Sequence, residues 1–426
     1  MVSINYNYLR PKKSRNLKDR HDKEFVFRSD LKALSYKNAT ILHLKSFAGD
    51  NLLFGRGGVV DENGKYVDIS AIDRRVQFSY DADVINTENR RVVYCGYLVN
   101  HWGHFLVEAV QRLWYFLKND SNVDCYVFFI NTGEERIIKG NYREFFELLG
   151  VWDKIEIINK PTKYKEVIVP ELSYKWCSYY SQECKDVFNK VATNIKIKPE
   201  WGKYDKIFFT RSQLPNVSKL EFGLDMIDEF FLNNGYKILS PEKSSLSELI
   251  YLIRNAKECA SISGSLPHNM LFGLDNQKLI IVERNTLNNE IQVDINQIKN
   301  LSVIYIDSNI AIYPISLSYG PFILSYKGYL EQYAKDNNLK GVNEKYYSES
   351  YMKKCFKNYM VQYKKAYGYQ WFMDDWAVIY TDYLREAYLD SLKYFGDYIT
   401  RVKPYKFSHY FQLHYIKQFI KKIIKR

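Results

Sequence analysis

Four segments of the chain carry residue types that could act on a ligand together. In Asn100-His101-Trp102-Gly103-His104-Phe105-Leu106-Val107-Glu108, helical geometry sets His104 and Glu108 four residues apart on one face. A carboxylate beside an imidazole orients the ring and raises its basicity, which suits removal of a proton from a hydroxyl. The same spacing also serves plain structural contacts. Residues 206–210 read as a strand with Arg211 at its carboxyl tip. There a guanidinium presents parallel donors to phosphate oxygens, or is simply solvated. Residues 261–272 run from a strand through the small-residue turn Gly264-Ser265 into a helix that holds His268 and Asn269. Such a turn admits close backbone approach and free amides for an anion, although many sheets change direction the same way. A strand over 278–282 ends at Glu283, where a carboxylate can accept from ribose hydroxyls or face water.

The elements that must position these groups follow from hydrophobic periodicity. The first ninety or so residues read as short strands at 25–28, 40–44 and 51–54, with a hairpin at Asp61-Glu62-Asn63-Gly64. From Arg91 the pattern alternates: strand 92–98, helix 102–117, strand 125–130, helix 142–149, and strands 154–158 and 166–170. After a linker at 196–204, a second series begins with strand 206–210, helix 224–232, strand 237–239, helix 246–256 and strand 259–263. It continues with a short helix at 268–272, strand 278–283, helix 289–298 and strand 302–306. Two successive doubly wound units predict ligands in the crevice outside the carboxyl ends of the strands. The division expected is 1–198, 199–326 and a helical extension over 327–426.

A chain of 426 residues with 46% hydrophobic and 26% charged residues is long enough for two packed domains and unlike a disordered polymer. The 61 Lys and Arg outnumber the 49 Asp and Glu, giving a net charge of +12, which favours nucleic acid, anionic lipid or phosphorylated partners without choosing among them. The basic residues are spread along the chain with no nucleic-acid-binding motif, so no nucleic-acid partner is expected. The six cysteines show neither C-x-x-C spacing nor His-rich neighbours, which points away from a zinc site or disulfide framework and fits a reducing cytoplasm. Residues 1–20 lack the apolar core of a secretory signal, and no membrane-spanning helix is expected. At the other end, residues 410–426 put Ile416, Phe419, Ile420 and Ile423 on one face and Lys417, Lys421 and Lys425 on another. This is the pattern of a helix lying on an anionic membrane surface or packing on the body.

Taken in order, the segments resemble glycosyltransferase family 61, including its bacterial members associated with capsular and exopolysaccharide synthesis. His104-x-x-x-Glu108 with Arg112 is similar to the family's helix motif, and Phe209-Thr210-Arg211 to its strand-Arg motif. Glu221-Phe222-Gly223, then Gly235 to Glu242 with Leu246-Ser247-Glu248, resemble the segments that follow. The most specific piece is Gly264-Ser265 through His268-Asn269-Met270-Leu271-Phe272. The chain departs from the family at Leu249, where Gln is frequent, and at Lys219, where a second arginine is usual.

The resemblance implies an α/β, GT-B-like fold of two Rossmann-like domains facing a cleft, an inverting mechanism, no cofactor and no obligatory metal. On that basis His104 or Glu108 is the base, with Asn100 and Arg112 supporting the acceptor side. Arg211, Gly264, Ser265, His268, Asn269 and Glu283 contact the nucleotide-sugar donor. The acceptor expected is a glycan or lipid-linked oligosaccharide, met in the cytoplasm or at the inner face of the plasma membrane. Two alternatives stand beside this one. The chain could be an inactive relative that scaffolds polysaccharide assembly, or a metal-dependent GT-A-type transferase using Asp81-Ala82-Asp83.

Overall fold

A computed structural model describes residues 2–45, 56–72, 79–118, 120–130, 138–213, 220–310 and 319–387, the side chains of 369–387 excepted. The expected strand at 51–54, Lys219 and the basic segment 410–426 lie outside the described residues. The chain opens with β1 (Ser3–Tyr8) and α1 (Pro11–His21), then β2 (Val26–Arg28), β3 (Ala33–Lys37), β4 (Thr40–Lys45) and β5 (Arg56–Val60). Next come β6 (Asn86–Tyr97), α2 (Trp102–Val107), a 3-10 run Ala109–Lys118, β7 (Cys125–Phe129), α3 (Asn141–Leu149), β8 (Ile155–Ile158) and β9 (Thr162–Pro170). The short strands β10 (Tyr174–Lys175) and β11 (Tyr179–Ser181) lead into α4 (Gln182–Thr193). The second series is β12 (Lys206–Phe209), β13 (Glu221–Phe222), α5 (Leu224–Asn233), β14 (Lys237–Leu239), α6 (Leu246–Asn255), β15 (Glu258–Ile262), a 3-10 turn Leu266–Phe272, β16 (Lys278–Glu283), α7 (Glu290–Ile298) and β17 (Ser302–Asp307). Strand β18 (Phe322–Ile323), α8 (Tyr329–Asp336) and the long α9 (Glu349–Ala387), interrupted at Gly368, complete the described chain.

The strands form two main sheets. One runs β5-β4-β9-β6-β7-β8, with β3 also on β9; the other runs β1-β17-β16-β15-β12-β14. The second is parallel throughout, as its alternating strands and helices predict. The first is mixed: β9, β6, β7 and β8 are parallel, whereas β3 and β4 are antiparallel to β9. Two doubly wound units is therefore an overstatement for the first half, whose early strands β3 and β4 add to the sheet antiparallel to β9.

Strand alternation assigns each sheet face to a different packing layer. Val93, Cys95, Tyr126, Phe128 and Ile168 of the first sheet share one continuous apolar cluster with Ile207, Phe209, Cys259, Leu279 and Ile281 of the second. Their neighbours Val92, Tyr94, Val127 and Val167 pack on the opposite side of the first sheet, and Phe208, Ala260, Ile280 and Val282 on the opposite side of the second. The shared cluster is filled from α2, α3, α4, α6 and the 266–272 turn, so the two sheets flank one common helical layer. A polar clamp reinforces it. Glu144 of α3 accepts from the backbone amides of Leu246 (2.8 Å) and Ser247 (2.9 Å), capping the start of α6 with a carboxylate.

The N-terminal segment does not follow the expected division of the chain. Strand β1 pairs in parallel with β17, and α1 packs on α7, so both lie with the second sheet rather than with residues 33–170. Helix α1 turns Lys13, Leu17 and Arg20 inward. Lys13 Nζ meets Glu283 at 2.9 Å and Arg20 pairs with Asp294, which also accepts from the Tyr174 hydroxyl (2.7 Å) and the Cys177 amide (2.9 Å).

Candidate active site

A cleft of about 550 Å³ opens where strand ends from both sheets meet. Leu98 to Trp102, leaving β6, and residues 138–142 entering α3 form one wall; Arg211 after β12, Pro241 and Glu242 after β14, and Ser265 and Leu266 after β15 form the other. Every strand concerned presents its carboxyl end, the position that loops between parallel strands and helices leave open for ligands.

The walls touch through a close backbone approach. A Cβ on Gly103 would sit 2.8 Å from Ser265 Cβ and 3.2 Å from the His268 ring, so only glycine lets α2 lie this near the second sheet's turn. Beside it, Trp102 Nε1 donates to Asn269 Oδ1 at 2.8 Å. Trp102 also stands edge-on to Tyr142, with centroids 5.3 Å apart, giving the cleft an aromatic floor.

The expected helix over 102–117 is α-helical only to Val107. Glu108 leaves the helical region (φ −125°, ψ −51°) and a 3-10 run follows. The Gln111 amide donates to the Leu106 carbonyl at 2.8 Å, satisfying an acceptor the broken helix leaves. The pairing survives the break: His104 Nδ1 and Glu108 Oε1 lie 3.0 Å apart, the carboxylate buried and the imidazole about one-third exposed. His104 is not itself a cleft-lining residue. His101 is, and its ring centroid lies 4.8 Å from that of His104.

Arg112 is fully interior, donating to the carbonyls of Pro170 (2.9 Å), Ile69 (2.7 Å) and Ala71 (2.8 Å) and standing over the Tyr94 ring. Burial holds its pKa below the ordinary arginine value. Its contacts fix the backbone behind the site. Asn100, by contrast, is exposed at the cleft mouth.

On the opposite wall, Arg211 Nε donates to Glu221 Oε1 at 2.7 Å, with a side chain only 6% exposed. Gly264 has φ +126°, and a Cβ there would lie 3.0 Å from an Arg284 nitrogen, so both its backbone and its setting require glycine. His268 is buried, with Nδ1 2.8 Å from Gln292 Oε1, and Asn269 is buried and anchored to the Leu266 carbonyl. Leu249 adds an apolar side chain to the cleft.

Glu283 is the sequence-predicted residue placed farthest from its expected role. Its carboxyl is buried, pushed above the ordinary range by desolvation, and occupied by Lys13 from α1. The next residue along the extended chain, Arg284, turns to the other side and donates to Glu221 at 2.6 Å. Sequence reading missed Arg284 and His101, although each directly adjoins or closely precedes a residue it did select. Asp81 and Asp83 are exposed in the loop before β6 and do not line the cleft, and among the described residues no three His, Cys, Asp or Glu side chains group as metal ligands.

Parallel strand ends around this cleft, with Arg211 and Ser265 on one wall and His101, backed by the His104–Glu108 pair, on the other, define an α/β protein whose cleft sets a guanidinium opposite an imidazole. Residues 102–281 match the family model described as Glycosyltransferase 61, and this domain supports a glycosyltransferase. The matched stretch begins at α2 and ends within β16, so it contains the His104–Glu108 pair, Arg211 and the Gly264-Ser265 turn. No curated protein matched the chain in comparison.

Proposed function

We propose that the chain transfers a sugar from a nucleoside-diphosphate donor bound in this cleft to a hydroxyl of a growing surface glycan. The observation that carries the reading is the convergence of Arg211 and the Gly264-Ser265 turn on one wall with His101 and the His104–Glu108 pair beside the other. In this reading the diphosphate rests against Arg211 and the turn, where charge developing on the leaving oxygen is met by a guanidinium and backbone amides. The Glu108–His104 pair takes the proton of the acceptor hydroxyl, with His101 at the cleft edge. A single displacement on the anomeric carbon inverts its configuration. Glu283 has no part in holding the ribose, since Lys13 already occupies its carboxylate.

The same proposal assigns the two sheets to the two halves of a GT-B transferase, with the N-terminal segment crossing back to the donor side and α8 and α9 extending it. It needs no metal for donor binding. No described helix is long and apolar enough to cross a membrane, and we assign the enzyme to the cytoplasmic leaflet, its basic 410–426 segment against anionic lipid beside a lipid-linked acceptor.

The test is a thermal-shift panel of nucleoside diphosphates and their sugars, followed by a transfer assay with the best donor. A ligand that binds only the native state raises the melting temperature by mass action. One nucleotide family should stabilise the protein, lose that effect in Arg211→Ala, and support transfer with inversion. No shift and no transfer with any donor would favour a scaffolding relative instead.

A further inference from the structure

We propose that Asn289, at the start of α7, is a positioning residue for the donor: by holding the Gly264 carbonyl it turns the Gly264-Ser265 peptide so that the Ser265 amide faces the cleft and receives the diphosphate. The inference rests on the donor site proposed above. Its geometry begins with one bond, in which Asn289 Nδ2 donates to the Gly264 carbonyl at 3.1 Å. The Gly264-Ser265 peptide is trans, and the carbonyl and amide of a trans peptide point opposite ways. Fixing the Gly264 oxygen toward α7 therefore sends the Ser265 N–H away from α7, and Ser265 is a cleft-lining residue. A lock is needed at this point. Gly264, at φ +126°, has the backbone freedom that lets such a peptide rotate at little cost.

Asn289 gives up an ordinary role to make this bond. It precedes the first turn of α7, where an asparagine side chain usually accepts from the amides of its own helix. Among the described residues its side chain makes no such capping bond, and its backbone carbonyl alone accepts from the amides of Gln292 (3.0 Å) and Val293 (3.4 Å). Helix α7 is itself a fixed platform. Three residues on, Gln292 grips the other end of the turn, with Oε1 2.8 Å from His268 Nδ1. Gln292 Nε2 donates to Asn296 Oδ1 (2.9 Å), and Asn296 Nδ2 to the Tyr305 hydroxyl of β17 (2.8 Å). Asn289, Gln292 and Asn296 thus share one helical face, and the last two are buried. A buried row of amides costs desolvation that apolar side chains would not, and when linked in this way it specifies one arrangement of what it holds. Asp294 ties the same helix to Arg20 of α1. Asn289 and α7 lie beyond residues 102–281, so the element that shapes the donor turn comes from outside the matched stretch.

Asn289→Ser separates positioning from stability. Serine caps a helix as well as asparagine does but is too short to reach the Gly264 carbonyl. The probes are inorganic pyrophosphate, UDP, TDP, GDP and CDP, titrated by calorimetry, and the rate is that of transfer or donor hydrolysis. The serine variant should melt within about 2 °C of wild type. It should nevertheless bind the probes that wild type binds about tenfold more weakly, and lose about tenfold in kcat/KM. Asn289→Ala, which neither caps nor reaches, should show the same loss of affinity at a lower melting temperature than the serine variant. A merely structural role predicts instead that affinity and kcat/KM follow the melting temperature through the series. A serine variant that binds and turns over within about twofold of wild type overturns the positioning role, and so does one whose affinity falls only with a matching loss of stability. In either case the donor site stands if Arg211→Ala still abolishes binding. A wild-type protein that binds none of the five probes overturns the donor site as well.

Discussion

Gly103→Ala sets two known effects against each other. Gly103 is the second residue of α2 and does not have a positive φ, so alanine is conformationally acceptable there and, by helix propensity alone, stabilises by at most about 1 kcal/mol. The added methyl, however, meets Ser265 Cβ at 2.8 Å. Ordinary contact begins near 3.4 Å, so the two walls must separate by about 0.6 Å. Ser265 Cβ is fixed to the backbone, and the strain cannot be relieved by a rotamer change. Overpacking of this kind costs about 1–3 kcal/mol, which outweighs the propensity gain. The same separation stretches the Trp102–Asn269 hydrogen bond and moves the imidazole wall relative to Arg211, and misplacement on the ångström scale lowers turnover by up to about a hundredfold. Urea unfolding and donor turnover are the assays. A Gly103→Ala protein that is more stable than wild type and equally active would refute the close-approach argument.

Glu108→Gln should lower turnover by roughly two to four orders of magnitude with donor affinity nearly intact, since it removes the carboxylate that partners His104 Nδ1; turnover near wild type would make the pair structural. Transfer should persist in excess EDTA, and in the Asp81→Asn, Asp83→Asn double variant; loss in chelator with recovery in manganese would move donor binding to those aspartates. Arg91 holds Asp120 (2.7 Å) below the ordinary carboxylate range, and Glu166 is held down by Ser35 and then by Arg91. Depressed carboxylate pKa values stabilise the fold above the ordinary carboxylate range, and that stability disappears as pH falls through the depressed values. Arg91→Met should therefore lower the urea midpoint at pH 7 but close the gap to wild type toward about pH 3; a constant gap would contradict the linkage.

The second sheet was legible because its strands are short apolar runs buried on both faces and punctuated by helices with apolar stripes: β16 was located to the residue, and β15 and β17 to within one. Helix α1 was not, because its inward face is Lys13, Leu17 and Arg20, and a helix that buries paired charges has the pattern of a solvated segment. The docking of β1 on β17 is equally invisible locally, since its partner lies some three hundred residues away. At the site, Arg211 and Ser265, both selected from the sequence, line the cleft. Sequence reasoning misread the end of β16, where strand alternation sends Glu283 toward α1 and Arg284 toward Glu221, an outcome that depends on which layer covers each face. It also passed over His101, whose place at the cleft follows from the turn into α2 rather than from helical spacing.

The most direct test of the central claim is the structure of the chain with its preferred nucleoside diphosphate bound. The account predicts the diphosphate within hydrogen-bonding distance of the Arg211 terminal nitrogens and the Gly264-Ser265 turn, with the nucleoside along the wall formed by the ends of β12, β14 and β15. A nucleotide seated at Asp81 and Asp83, or anywhere that leaves Arg211 without a phosphate contact, would contradict it.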